Sequence, residues 1–245
     1  MHYSRLILNP RSRAVRRDLA EAFEMHRTIM SAFPQLSERD RRDPESGSIL
    51  WRVDDDQSQG VTMLLVQSEL APDWQPLLKR HPDYVATAVG SELPPIETKG
   101  RQLSFVVGQI LSFRLRANPT KKMKADGRKN GIRVGLNTED EQLAWLQRKA
   151  ETAGFRLGSA VVTPEGTSGP RGSNAPPVTL GADSATGAVG TVATTVQVAR
   201  KMTHLAVRFE GVLQVTDAAG FEQTLRCGIG SAKGFGFGLL SLARI

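Results

Sequence analysis

An α+β chain of two tandem ferredoxin-like domains is the fold class this sequence predicts, and three observations predict it. Short apolar runs with strand character alternate with longer stretches at helical spacing. In the first half they follow the order β-α-β-β-α-β. From about residue 109 the same order returns with an insertion, as a repeat of elements rather than of sequence. With 245 residues, 40% of them hydrophobic, the chain can build two small cores. The expected domains are 1–108 and 109–245.

Residues 3–9 read as the first strand, broken at Asn9-Pro10. Ser12 stands where a helix cap belongs. Val15, Leu19, Ala22, Ile29 and Phe33 recur at helical spacing, predicting one helix that stops before Pro34. The polar stretch 38–48 is expected as a loop. Residues 49–53 and 61–66 read as a hairpin across an Asp/Gln/Ser/Gly turn, longer than the tight two-residue type. A short helix over 74–80 and a strand near 97–105 complete the first unit.

The second unit opens with a strand over 110–117, ended by Asn118-Pro119-Thr120. Thr138-Glu139-Asp140-Glu141 is a capping box, with acids at the positive end of the helix dipole. That helix carries Leu143, Leu146 and Ala150 and stops near Gly154. A strand over 157–163 follows. The Gly/Pro/Ser-rich stretch 164–177 is expected as a loop or insertion. Runs 189–198 and 204–215 are expected to pair as an extended hairpin. Asp217 caps a short helix ending at Gly228, and a final strand closes the unit.

Lysine and arginine total 32 against 25 acids, a formal charge of +7, which favours polyanionic partners without choosing among them. The single Cys227 excludes an internal disulfide and fits a reducing compartment. No apolar run reaches the roughly 18 residues of a membrane span, and the N-terminal residues lack the apolar core of a signal peptide. A soluble, cytoplasmic protein with no membrane partner is expected. His2, His26, His81 and His204 share no metal-ligand spacing, and no acid cluster suggests magnesium, so neither metal nor cofactor is expected.

Three places carry candidate chemistry. The first is the run 228–240, in which Gly228, Gly230, Gly234, Gly236 and Gly238 are interspersed with small, aromatic and basic residues. Such a loop is either a bulged turn before the last strand or a cradle whose amides, helped by Lys233, hold a polynucleotide backbone. It lacks the helix, strand and acid that follow a dinucleotide loop, and its Lys233-Gly234 order is not the Walker order. The second is positive charge. Arg116, Lys121, Lys122, Lys124, Arg128, Lys129 and Arg133 stand against the single acid Asp126, in a segment expected as a loop. Arg11, Arg13, Arg16 and Arg17 open the first helix, where cations oppose the dipole. Both clusters read either as solvated surface or as phosphate contacts. The third is His26, within the first helix and on its apolar stripe. It is a partly buried packing residue or a general acid or base working near neutral pH. RNA cleavage without metal is open to such a histidine, because the 2′-hydroxyl is an internal nucleophile.

These pieces resemble a known family. The histidine in the first helix, Leu50-Trp51-Arg52-Val53, Phe113-Arg114-Leu115-Arg116-Ala117-Asn118-Pro119-Thr120, Trp145-Leu146 before Gly154-Phe155, and the terminal glycine loop occur in its order. Across nearly the whole chain the sequence is similar to the CRISPR-associated endoribonucleases of type I-E systems, the CasE family. The resemblance implies two tandem domains of the RRM-type ferredoxin-like fold. It implies metal-independent cleavage of the repeat stem-loop in precursor CRISPR RNA, leaving a 5′-hydroxyl and a 2′,3′-cyclic phosphate. It also implies retention of the product hairpin within Cascade, beside other Cascade subunits. The family's histidine maps onto His26. Some members carry a tyrosine one turn earlier, where this chain has Phe23, which exchanges no proton; Arg27 or a lysine is then the expected partner of His26.

Recognition of a hairpin stem should rest on shape, phosphates and the flanking single strand. The expected grip is Arg11, Arg13, Arg16, Arg116, Lys121, Lys122, Lys124, Arg128, Lys129 and Arg133. Gly230, Lys233, Gly234 and Gly236 are expected near the cleft between the domains. A non-catalytic hairpin-binding subunit of the same architecture is the alternative that Phe23 favours.

Overall fold

The computed structural model of the chain describes residues 1–34, 36, 48–56, 60–86, 93–125, 128–168 and 204–245. Its first half runs β1 (His2–Leu8), α1 (Arg13–Ala20), α2 (Ala22–Met30), β2 (Leu50–Asp56), β3 (Val61–Ser68), α3 (Gln75–Arg80) and β4 (Ile96–Gly100). Four antiparallel strands form a sheet in the order β2-β3-β1-β4. The second half runs β5 (Ile110–Ala117), β6 (Thr120–Ala125), β7 (Arg128–Gly135), α4 (Glu139–Thr152), β8 (Phe155–Ser168), β9 (His204–Val215), α5 (Ala218–Cys227) and β10 (Leu240–Arg244). Its sheet has the order β10-β5-β9-β8, again antiparallel. With the β6–β7 hairpin set aside, both sheets have one arrangement. The first strand lies between the fourth and the third, and the second lies outside the third.

Alternation explains which face each strand buries. Along β5, Leu111, Phe113, Leu115 and Ala117 are buried, while Arg114 and Arg116 occupy the opposite face. The first four join a core with Trp145, Leu146, Phe209 and Phe221. A separate core gathers Leu6, Val15, Ile29, Trp51, Trp74 and Tyr84 in the first half. Thr138 caps α4 by accepting from the Glu141 amide, and Asp217 caps α5 by accepting from Ala219.

Several expectations are corrected. The first helix is two helices, α1 and α2, separated by Glu21 in an extended conformation (φ −133°, ψ 107°). Its periodicity therefore restarts: Val15, Ile29 and Phe33 are buried, whereas Leu19 is 43% exposed. Ser12 precedes α1, but its hydroxyl makes no cap bond. The basic segment is a paired hairpin, β6–β7, with a bulge between Met123 and Ala125, not a loop. Residues 164–168 continue β8 against β9 through another bulge, so only the remainder of the expected 164–177 loop lies outside the described residues. The 189–198 strand and Asp126 lie outside them too, as does the 38–48 loop apart from Ser48. Both edges of β9 are occupied, by β5 and β8.

The halves are joined by polar contacts. Arg52, on β2 and only 2% exposed, donates to the Arg114 carbonyl (3.4 Å), the Leu239 carbonyl (3.3 Å) and Ser241 Oγ (3.0 Å). Asp54 neutralises its guanidinium at 2.7 Å. Gln67 Nε2 donates to the Leu225 carbonyl at 2.6 Å, and Arg226 pairs with Glu69 at 2.7 Å.

Candidate functional site

His26 sits on α2, facing the last glycine-rich loop. A Cβ built on Gly234 would stand 3.7 Å from His26 Cε1, so nothing but backbone separates the loop from the ring. Residues Lys233–Phe235 form a 3₁₀ turn. Arg27, the next residue on α2, is ion-paired with Glu24 one turn back. Phe23, three residues before His26, is 61% exposed.

The loop is braced by aromatics. Gly236 has φ +81°, and a Cβ there would come within 2.8 Å of Trp51. Gly238 has φ +89°, and a Cβ there would come within 2.9 Å of the Ile229 carbonyl. Gly230 packs on Trp145. The ring of His204 lies 4.8 Å from Phe235 and 6.0 Å from Phe237, between centroids, and its Nδ1 is 3.1 Å from Asn118 Nδ2. Burial holds His204 below the usual histidine range. The amides of Ile229, Gly236 and Gly238 donate to the Gly238, Lys233 and Arg116 carbonyls, so they are not available to a phosphate. The loop is thus a tight turn feeding β10, and only its 230–234 portion remains for a cradle. Lys233 in that portion is half-buried; burial pulls its ammonium down, Cys227 opposes this and Lys149 adds to it.

The predicted cations fall into groups. Arg11, Arg13 and Arg16 are exposed at the start of α1. Arg17 is used within the fold, bonded to Asp18 at 2.7 Å, and Asp18 in turn accepts from the buried Tyr84 hydroxyl at 2.8 Å. Lys122, Lys124 and Arg133 are exposed on the β6–β7 hairpin. Lys121 is also on it but pairs with Glu141 at 2.9 Å, which holds that carboxyl below its usual range. Arg128 and Lys129 belong to β7, and their side chains lie outside the described ones. Arg116 is set apart from the hairpin, beneath the glycine loop.

Sequence reasoning missed a chain of alternating charges. Asp54, Arg114, Glu210, Arg208, Glu165 and Arg116 follow one another at 3.6, 2.7, 3.4, 3.6 and 2.7 Å. Most of these line a cleft of about 580 Å³ between the α1–α2 junction, β2 and the open face of the second sheet. The one available signal was Arg114 and Arg116 at period two on β5. Their acids come from β2, β8 and β9, which no local pattern links to them. Among the described residues, no group of three or more His, Cys, Asp or Glu side chains is arranged to hold a metal ion. Among the described residues, no helix is long and apolar enough to cross a membrane.

Residues 1–244 match the family described as CRISPR associated protein. The chain is 36% identical over 252 residues to the CRISPR-associated endoribonuclease Cse3 of Thermus thermophilus, covering 99% of this chain and 100% of that protein. It is 30% identical over 255 residues to the CRISPR system Cascade subunit CasE of Escherichia coli K12, with 99% of each covered. Among solved structures, Cse3 bound to a 19 nt RNA superposes with a TM-score of 0.74 at 32% identity, covering 99% of this chain and 100% of that one. Escherichia coli Cas6e superposes with a TM-score of 0.64 at 27% identity, with full coverage of both. This agreement over the full length, in sequence and in fold, makes the chain a member of the CRISPR-associated protein family to which Cse3 and CasE belong.

Proposed function

We propose that this protein is a metal-independent endoribonuclease that cleaves the repeat stem-loop of precursor CRISPR RNA and keeps the product as a Cascade subunit. The observation that carries the reading is the meeting of His26 with the glycine loop. The RNA-bound Cse3 structures and the endoribonuclease name of that relative support the substrate class; the Cascade name of the second relative supports the assembly.

The reaction needs only groups this chain has. The 2′-hydroxyl beside the scissile phosphate loses its proton and attacks phosphorus. The P–O5′ bond breaks, the departing oxygen takes a proton, and the products are a 2′,3′-cyclic phosphate and a 5′-hydroxyl. His26 acts at one of the two proton transfers. Arg27 and the amides of the 230–234 stretch offset charge on the phosphorane, with Lys233 beside them. Arg11, Arg13 and Arg16 and the exposed hairpin cations Lys122, Lys124 and Arg133 hold the stem backbone, with Lys121, Arg128 and Lys129 on the same hairpin. The separate cores support two units, and Leu103 and Phe105 pack with the second core, which favours a boundary just after β4 over the expected 108.

The test is cleavage of a repeat hairpin in EDTA by the native protein and by His26→Ala. The expected result is a single cut at the stem base, lost in the variant while binding survives. Loss of cutting in EDTA with recovery on added Mg²⁺ would overturn the metal-free mechanism. Exposed Phe23 favours one second reading, a hairpin-binding subunit that does not cut; tight binding without a cut in the native protein would establish it.

A further inference from the structure

One residue of the cleft holds three consecutive residues of the glycine loop. The Arg116 guanidinium lies 4.6 Å over the Phe237 ring, its Nη1 donates to the Gly236 carbonyl at 3.3 Å, and its own carbonyl accepts from the Gly238 amide at 2.8 Å. Its Nε donates to Glu165 at 2.7 Å, and its side chain is only 20% exposed. Glu165 is itself fixed on β8, with Arg208 at 3.6 Å on its other oxygen. Two residues upstream of Gly236, Gly234 lies against His26.

We infer that Arg116, oriented by Glu165, is a positioning residue that sets the glycine loop against His26, and that it does not itself grip an RNA phosphate. The inference rests on the reading of His26 as the cleaving residue. A glycine-rich segment loses much backbone freedom on ordering and has few side chains to anchor itself, so it must be held from outside. The planar guanidinium suits this, because it stacks and donates in fixed directions at once, which an ammonium does not. Precision matters here: a misplacement of about 1 Å at a reacting group costs roughly a hundredfold in rate. A phosphate competing for Arg116 would have to displace Glu165 and release the loop.

The experiment uses Glu165→Gln and Arg116→Lys in the full chain. Hydrogen exchange of amides 228–239 is measured in the free protein. Single-turnover cleavage and the affinity for a repeat hairpin across a salt series are measured beside it. The expected result is exchange about tenfold faster in both variants and cleavage at least tenfold slower, with affinity and salt slope unchanged. Unchanged exchange overturns the inference. So does tighter binding by Glu165→Gln with a salt slope steeper by about one, since that is the signature of a phosphate contact unmasked. If the native protein does not cut the hairpin, the nuclease reading fails, and the exchange data alone decide whether the clamp exists.

Discussion

His26 and Phe23 lie one turn apart on α2, Phe23 exposed and His26 partly buried against the glycine loop, and only the histidine can carry a proton. Phe23→Tyr restores a hydroxyl to that position and is expected to raise the single-turnover cleavage rate about tenfold or more; an unchanged rate would assign the second proton transfer elsewhere. Gly236→Ala meets a left-handed backbone and the Trp51 ring together. A loss of about 2–4 kcal/mol in unfolding free energy is expected, from strain at φ +81° plus overpacking. His204 supplies a pH dependence. Its folded-state value lies below the ordinary 6.5 because of burial. Between that lowered value and 6.5 the unfolded chain binds more protons, so stability is complete above 6.5 and falls as the pH drops. Denaturant midpoints at about pH 7.5 and about pH 5.5 should differ less in His204→Gln than in the native protein. His26 was legible in the sequence as a helical residue on an apolar stripe. Its contact with Gly234 was not, since periodicity describes only the helix that carries a residue.

At the level of elements, the β6–β7 hairpin shows that a cluster of cations can be legible in a sequence when its conformation is not. Its cations were evident from composition. Its strands were not, because a two-stranded ribbon outside both main sheets has little apolar alternation, and Met123 and Ile132 remain exposed across from each other. Pairing aligns these side chains at a fixed spacing, which a loop does not. Charge reversal at Lys122 and Lys124 should therefore weaken hairpin binding across all stem sequences and reduce the salt slope by about two. Reversal at Lys121 should do less, since Glu141 already holds that ammonium. Unchanged affinity in the double variant at physiological salt would locate the grip elsewhere. The α1–α2 break has a different lesson. Glu21 turns the chain without proline or glycine, so no residue type announced it.

For the molecule as a whole, Arg52 is the joint. It is buried, paired with Asp54, and bonded to three atoms of the other half. Arg52→Met should cost about 3 kcal/mol of unfolding free energy, because it leaves carbonyls and a carboxylate short of their donor; urea denaturation measures this, and a loss under about 1 kcal/mol would show the joint rests on apolar contact instead. The sequence by itself determined the fold class, the α4 and α5 caps and the presence of the glycine loop, since each is written in neighbouring residues through alternation, helical spacing or capping chemistry. Tertiary structure alone decided that the loop closes on His26, that Arg116 lies beneath it, and that a chain of alternating charges crosses the cleft. Most of those contacts join residues from different elements, and they come together once two separately buried cores dock through Arg52 and bring β2, β5, β8 and the final turn to one place.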